Sequence, residues 1–114
     1  MANILFTREL AKRAANDGIV AHAMHPGVVV GSNFINHAHE DMQAYMRSIE
    51  DTSLSVEEGA DTLIWLATAT EPGLSTAQYF HQREIIPCSQ AAQDETAAER
   101  LWTESETLVA HSLT

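Results

Sequence analysis

The chain has 114 residues, 45% of them hydrophobic, with six Lys and Arg against sixteen Asp and Glu and a formal net charge of −10. That length fits one domain with a modest core, and the acidic balance excludes a nucleic-acid surface or an anionic-membrane surface. The single cysteine, Cys88, excludes an internal disulfide framework and fits a reducing compartment. With no signal-peptide pattern and nothing near the roughly 18 apolar residues of a membrane span, a soluble cytoplasmic protein is expected.

Ala2 to about Ala15 reads as a helix with Phe6, Leu10 and Ala14 on one stripe, widened by Ile4, Leu5 and Ala11. Asn16-Asp17-Gly18 is its stop signal, Gly18 being free to take the left-handed conformation that closes a helix. The apolar run Ile19–Met24 then reads as a buried strand, too apolar for an exposed edge, and Pro26-Gly27 ends it. Beyond Val30 the chain turns polar. Residues 31–36 read as a loop, and His37 to Arg47 shows weak helical periodicity.

Ser55 with Glu58 three residues on is a capping box, opening a helix whose Ala60, Leu63, Ile64 and Ala67 form the expected buried face. Thr70-Glu71-Pro72-Gly73 terminates it. Ala77–His81 reads as a short strand and Pro87 closes the irregular segment after it. A last helix of about 15 residues is expected from near Asp94, with Leu101, Trp102, Leu108 and Val109 as its apolar side. Two strands joined by a helical crossover imply parallel pairing. The expectation is an α/β fold: the C-terminal portion of a Rossmann-type, doubly wound parallel sheet, with about two strands and three to four helices. A two-stranded parallel sheet is marginal, so further strands are expected from elsewhere.

In open α/β sheets ligands bind beyond the carboxyl ends of the strands, which makes His25-Pro26-Gly27 the leading site candidate. The bland alternative is a turn that binds nothing. His37-x-His39 beside Glu40 and Asp41 has the wrong spacing for one helical face and no third ligand, so it reads as a solvated loop and no metal is expected. His22 reads as a histidine with a structural hydrogen-bond partner. His81 and His111 carry no pattern, and Cys88 reads as a structural thiol because no histidine is placed to activate it. Trp102 reads as core or interface.

Taken in order, Ala2–Ala11, His25-Pro26-Gly27-Val28-Val29, Val56-Glu57-Glu58-Gly59-Ala60 with Leu66-Ala67-Thr68, Tyr79-Phe80, and Leu101-Trp102 with Ser105 resemble the short-chain dehydrogenase/reductase family. The likeness is to its retinol-dehydrogenase-like and WW-domain-oxidoreductase-like branch. The resemblance implies a Rossmann-type sheet that binds NAD or NADP and a Tyr-x-x-x-Lys pair that moves the proton in carbonyl/alcohol interconversion. It implies cofactor contacts at Pro26, Gly27, Val28 and Val29, with Val29 receiving the nicotinamide carboxamide on its backbone. Where the family commonly has a threonine this chain has Gly31, with Ser32 beside it to supply the hydroxyl. Asn33 to Ser53 matches the substrate loop and lid, in which Phe34, Ile35, Met42, Tyr45 and Met46 either line an apolar substrate pocket or pack the lid onto the body.

No tyrosine here has a lysine four residues on, and no strand is followed by the glycine-rich phosphate turn. The resemblance therefore implies a partial member that starts at an internal methionine just past the catalytic pair, has no catalytic residue of its own and is inactive alone. A small carbonyl or alcohol would be the substrate of the full-length relative. The alternatives are an interaction module that self-associates, or one half of a split oxidoreductase that pairs with a Rossmann half.

Overall fold

A computed structural model describes residues 1–27, 40–42, 44 and 54–113. In chain order the elements are α1 (Ala2–Ala14), β1 (Ala23–His25), α2 (Val56–Thr68), β2 (Tyr79–His81), β3 (Glu84–Ile85) and α3 (Glu95–Ser112). Glu40, Asp41, Met42 and Ala44 are also helical. The sheet order is β1-β2-β3. β1 and β2 run parallel with Ala23 opposite Tyr79, Met24 opposite Phe80 and His25 opposite His81. The protein is α/β with a mixed open sheet, the architecture of a partial Rossmann-like fold.

The local signals act as their chemistry requires. Gly18 closes the first helix at φ +72°. The Ser55 hydroxyl accepts from the Glu58 N–H while the Glu58 carboxylate accepts from the Ser55 N–H, satisfying two orphan donors at once. The Asp94 carboxylate accepts from the Ala97 N–H at 3.0 Å and starts α3.

Burial departs from the sequence pattern in four places. Ile19 and Val20 are 53% and 45% exposed, and the ladder begins only at Ala23. The reason is local. The Ala21 N–H donates to the Thr76 hydroxyl rather than to a strand carbonyl, and Ala77, at φ +61°, breaks the extended run of the partner. β1 is accordingly an edge of the described sheet, against the expectation of a covered strand.

On α2, Leu63 and Ile64 are exposed, and Gly59 and Thr62 are buried instead. The helix turns that face inward because Trp65 packs edge-on against Phe80, with ring centroids 5.6 Å apart, and Thr62 accepts the Arg83 N–H. On α3, Leu108 and Val109 are exposed, whereas Trp102 stacks on Phe6 of α1 at 5.3 Å. On α1, Phe6 is 42% exposed and Leu5, Glu9, Ala11 and Ala14 are buried. Buried Glu9 holds Arg13 at 2.8 Å, and the Arg13 guanidinium lies 4.9 Å over the Trp102 ring. One cation thus serves a carboxylate and an indole, as its planar charge allows.

Among the described residues, Phe80, 3% exposed, is the largest side chain of the buried apolar set, which is otherwise Leu5 and four alanines. The strand β3 was not expected from the sequence. It pairs antiparallel to β2 through a two-residue turn in which Gln82 and Arg83 have φ +50° and +63°. Two positive φ values at the turn centre match the right-handed twist of a hairpin. The usual cue for them, Asn-Gly or Asp-Gly, is missing.

Candidate functional site

The carboxyl end of β1 runs into the Pro26-Gly27 turn, and the parallel register sets His81 of β2 beside His25. Their rings meet edge-on at 5.2 Å. Gly27 has φ +82°, and a Cβ there would stand 2.7 Å from Leu54 Cδ1. Glycine is needed on both counts, for the left-handed backbone and for the space beneath Leu54.

Hydrogen bonds assign the backbone groups of this turn. The Gly27 N–H donates to His25 Nδ1 at 2.8 Å. The His25 carbonyl, able only to accept, takes a bond from His81 Nδ1 at 3.0 Å. Pro26 has no N–H. Every backbone donor from Pro26 to Gly27 is thus absent or committed, and any N–H offered to a ligand must come from beyond Gly27. Pro26 itself is exposed, and its carbonyl accepts nothing among the described residues.

His22, just before β1, is structural. Its Nδ1 accepts from the Gln78 N–H at 3.2 Å, and its Nε2 donates to the Pro72 carbonyl at 2.8 Å. Its ring also meets Phe80 edge-on at 5.0 Å. Both nitrogens are committed, so the expectation of a histidine with structural partners is borne out.

Behind the hairpin, Arg83 forms a two-pronged bond with Asp61, each contact 2.8 Å. That hydrogen bonding holds the Asp61 carboxyl below the ordinary carboxylate range and raises Arg83 above its own. This pair braces the turn next to His81.

Of the residues singled out from sequence, Pro26 and Gly27 stand at the strand end. Met42 is 52% exposed on its helical segment. Val28, Val29, Gly31, Ser32, Phe34, Ile35, Tyr45 and Met46, with His37 and His39, lie outside the described residues. Cys88 is a half-buried free thiol. Among the described residues no three His, Cys, Asp or Glu side chains gather as a metal ion would need. The residues that sequence reasoning missed are His81 and Leu54. His81 lies 56 positions from His25, and only the strand register brings them together.

A parallel strand pair that ends in a tight glycine turn, with helices packed against it, defines the class: a Rossmann-like α/β protein. No family model matches the chain. It is 35% identical to retinol dehydrogenase 12 of Mus musculus over 105 residues, which is 92% of this chain and 33% of that protein. It is 34% identical to retinol dehydrogenase 14 of Homo sapiens over 115 residues, 96% of this chain and 33% of that one. A putative daunorubicin C-13 ketoreductase of a Streptomyces species is 31% identical over 111 residues, 95% of this chain and 36% of that protein. The chain spans about one third of the length of the curated relatives it matches. Over that stretch it belongs to the short-chain dehydrogenase/reductase family.

Proposed function

We propose that these 114 residues are the C-terminal part of an NAD(P)-dependent short-chain oxidoreductase domain, acting in alcohol/carbonyl interconversion on a small molecule. The observation that carries this reading is the Gly27 turn at the carboxyl end of a parallel pair, within a chain similar along nearly its whole length to dehydrogenases. In this reading the backbone of Pro26, Gly27, Val28 and Val29 receives the nicotinamide end of the cofactor, Ser32 adds a hydroxyl contact, and Phe34, Ile35, Met42, Tyr45 and Met46 face the substrate. NAD or NADP, when bound, supplies the hydride chemistry. This chain's part is to orient the carboxamide by backbone groups, for which the glycine turn and the committed Gly27 N–H fix the geometry.

The 114 residues contain neither a Tyr-x-x-x-Lys pair nor a glycine-rich phosphate turn, so by themselves they hold no proton relay and no pyrophosphate cradle. Two measurements test the proposal. Titration of the labelled chain with NADH and NADPH should perturb the Gly27 amide and its successors; perturbation elsewhere only would overturn the site. Carbonyl reduction by the purified chain should not exceed the buffer rate, and measured turnover would sink the claim of inactivity.

A second reading, a module that self-associates, is favoured by one observation. Exposed apolar residues lie on α2 (Val56, Leu63, Ile64) and around a groove of about 480 Å³ lined by Phe6, Trp102, Val109 and Leu113. Sedimentation should then give a concentration-dependent dimer, and a monomer at high concentration would remove this reading.

A further inference from the structure

Neither ring at the strand end is free to choose its neutral tautomer. The Gly27 N–H points at His25 Nδ1, so that nitrogen must present a lone pair and the proton of the neutral ring must sit on Nε2. The His25 carbonyl faces His81 Nδ1, so there the proton must sit on Nδ1. We propose that His25 and His81 form a positioning pair that holds the Pro26-Gly27 turn, fixed in opposite tautomers, in which protonation of His25 breaks the bond to Gly27 whereas protonation of His81 leaves its bond to the His25 carbonyl intact.

The asymmetry follows from the bonds. Protonating His81 leaves its Nδ1–H, and hence its bond to the His25 carbonyl, in place. Protonating His25 puts a hydrogen where the Gly27 N–H already points. That bond must break, freeing the turn and orphaning its N–H. The His25 bond spans two residues, as an Asx turn does, with Nδ1 in the position that Oδ1 would occupy in asparagine. Asparagine at 25 can therefore keep the acceptor without titrating. By the same correspondence asparagine at 81 keeps a donor for the His25 carbonyl.

Among the described residues, the charged and titratable groups of the surrounding elements are engaged elsewhere or exposed. His22, which precedes β1, has both ring nitrogens committed. On α2 the Glu58 carboxylate accepts from Ser55, and Asp61 is closed against Arg83 of the turn. Glu84 of β3 is exposed. The bearing of the pair on cofactor placement rests on the oxidoreductase reading above, but the tautomers and the acid step do not.

Long-range nitrogen–proton correlation spectra of the full 114-residue chain, recorded across the imidazole range of about pH 5–8, test the proposal directly. His25 should be the Nε2–H form and His81 the Nδ1–H form, and the Gly27 amide should shift in step with the His25 ring and not with that of His81. His25→Asn should hold the Gly27 amide at its neutral-pH position and abolish the step, whereas His25→Ala should displace it at every pH. His81→Asn should leave the amide near its native position and His81→Ala should move it. The same tautomer in both rings, a free-imidazole mixture of tautomers, or a Gly27 step that survives His25→Asn would overturn the pair. Failure of NADH and NADPH to perturb Gly27 while the tautomers hold would count against the cofactor reading only.

Discussion

The turns that follow β1 and β2, side by side at the carboxyl end of the parallel pair, solve one problem by different means. At Gly27 the backbone needs φ +82°, and the residue itself supplies it. At Gln82-Arg83 the backbone needs φ +50° and +63°, and side-chain-bearing residues are held there by contacts from outside the turn. A left-handed residue with a Cβ costs about 1–2 kcal/mol. Here the Thr62 hydroxyl accepts the Arg83 N–H and Asp61 grips its guanidinium. A glycine turn is thus set by its own sequence, while the hairpin turn exists because α2 lies against it.

Breaking the first turn should have the largest effect. Gly27→Ala is expected to cost about 2–3 kcal/mol in urea unfolding, from a strained backbone plus a crowded Leu54. Adding Leu54→Ala should return only the steric share of the Gly27→Ala loss, leaving the backbone share visible as the residue of a double-mutant cycle. Removing the outside support of the second turn comes next. Thr62 is 3% exposed, so Thr62→Val leaves the Arg83 N–H without its acceptor and should cost about 1–2 kcal/mol by the same assay.

Giving the second turn what the first already has should work in the opposite direction. Gln82→Gly relieves a positive φ and should stabilise by about 0.5–1 kcal/mol, less than the full strain because glycine also loosens the unfolded chain. The smallest effect is electrostatic. Asp61 has a lower pKa folded than unfolded, so its contribution is fully present above the ordinary carboxylate value of about 4 and fades as the pH falls through the folded value. Comparing wild type with Asp61→Asn should show a difference near pH 7 that shrinks in acid and in high salt, as expected for an exposed pair.

What could be read from the chain follows the same division. Ser55 with Glu58, Asp94 with Ala97, and Gly18 are each decided within three or four residues, and each is seen in the structure. The parallel pairing of β1 with β2 was likewise legible, because a helical crossover between two short strands allows little else. The apolar spacing of α2 pointed to Leu63 and Ile64 as core, yet the helix buries Gly59 and Thr62. Hydrophobic periodicity tells which faces of a helix are apolar, and it does not mark the Gly59–Thr62 face that is buried here. Which face meets the sheet depends on Phe80 and Arg83, elements that lie beyond its own sequence.

By itself the sequence determined the family, the glycine turn at residues 26–27 and the helix ends, since each rests on residue types at short, fixed spacing. Only the tertiary structure decided that His81 closes on His25, that Arg83 closes on Asp61, and that a third strand forms without a turn motif. Those contacts join residues 56 and 22 positions apart. Their partners are chosen by strand register and helix rotation, and no local spacing encodes either.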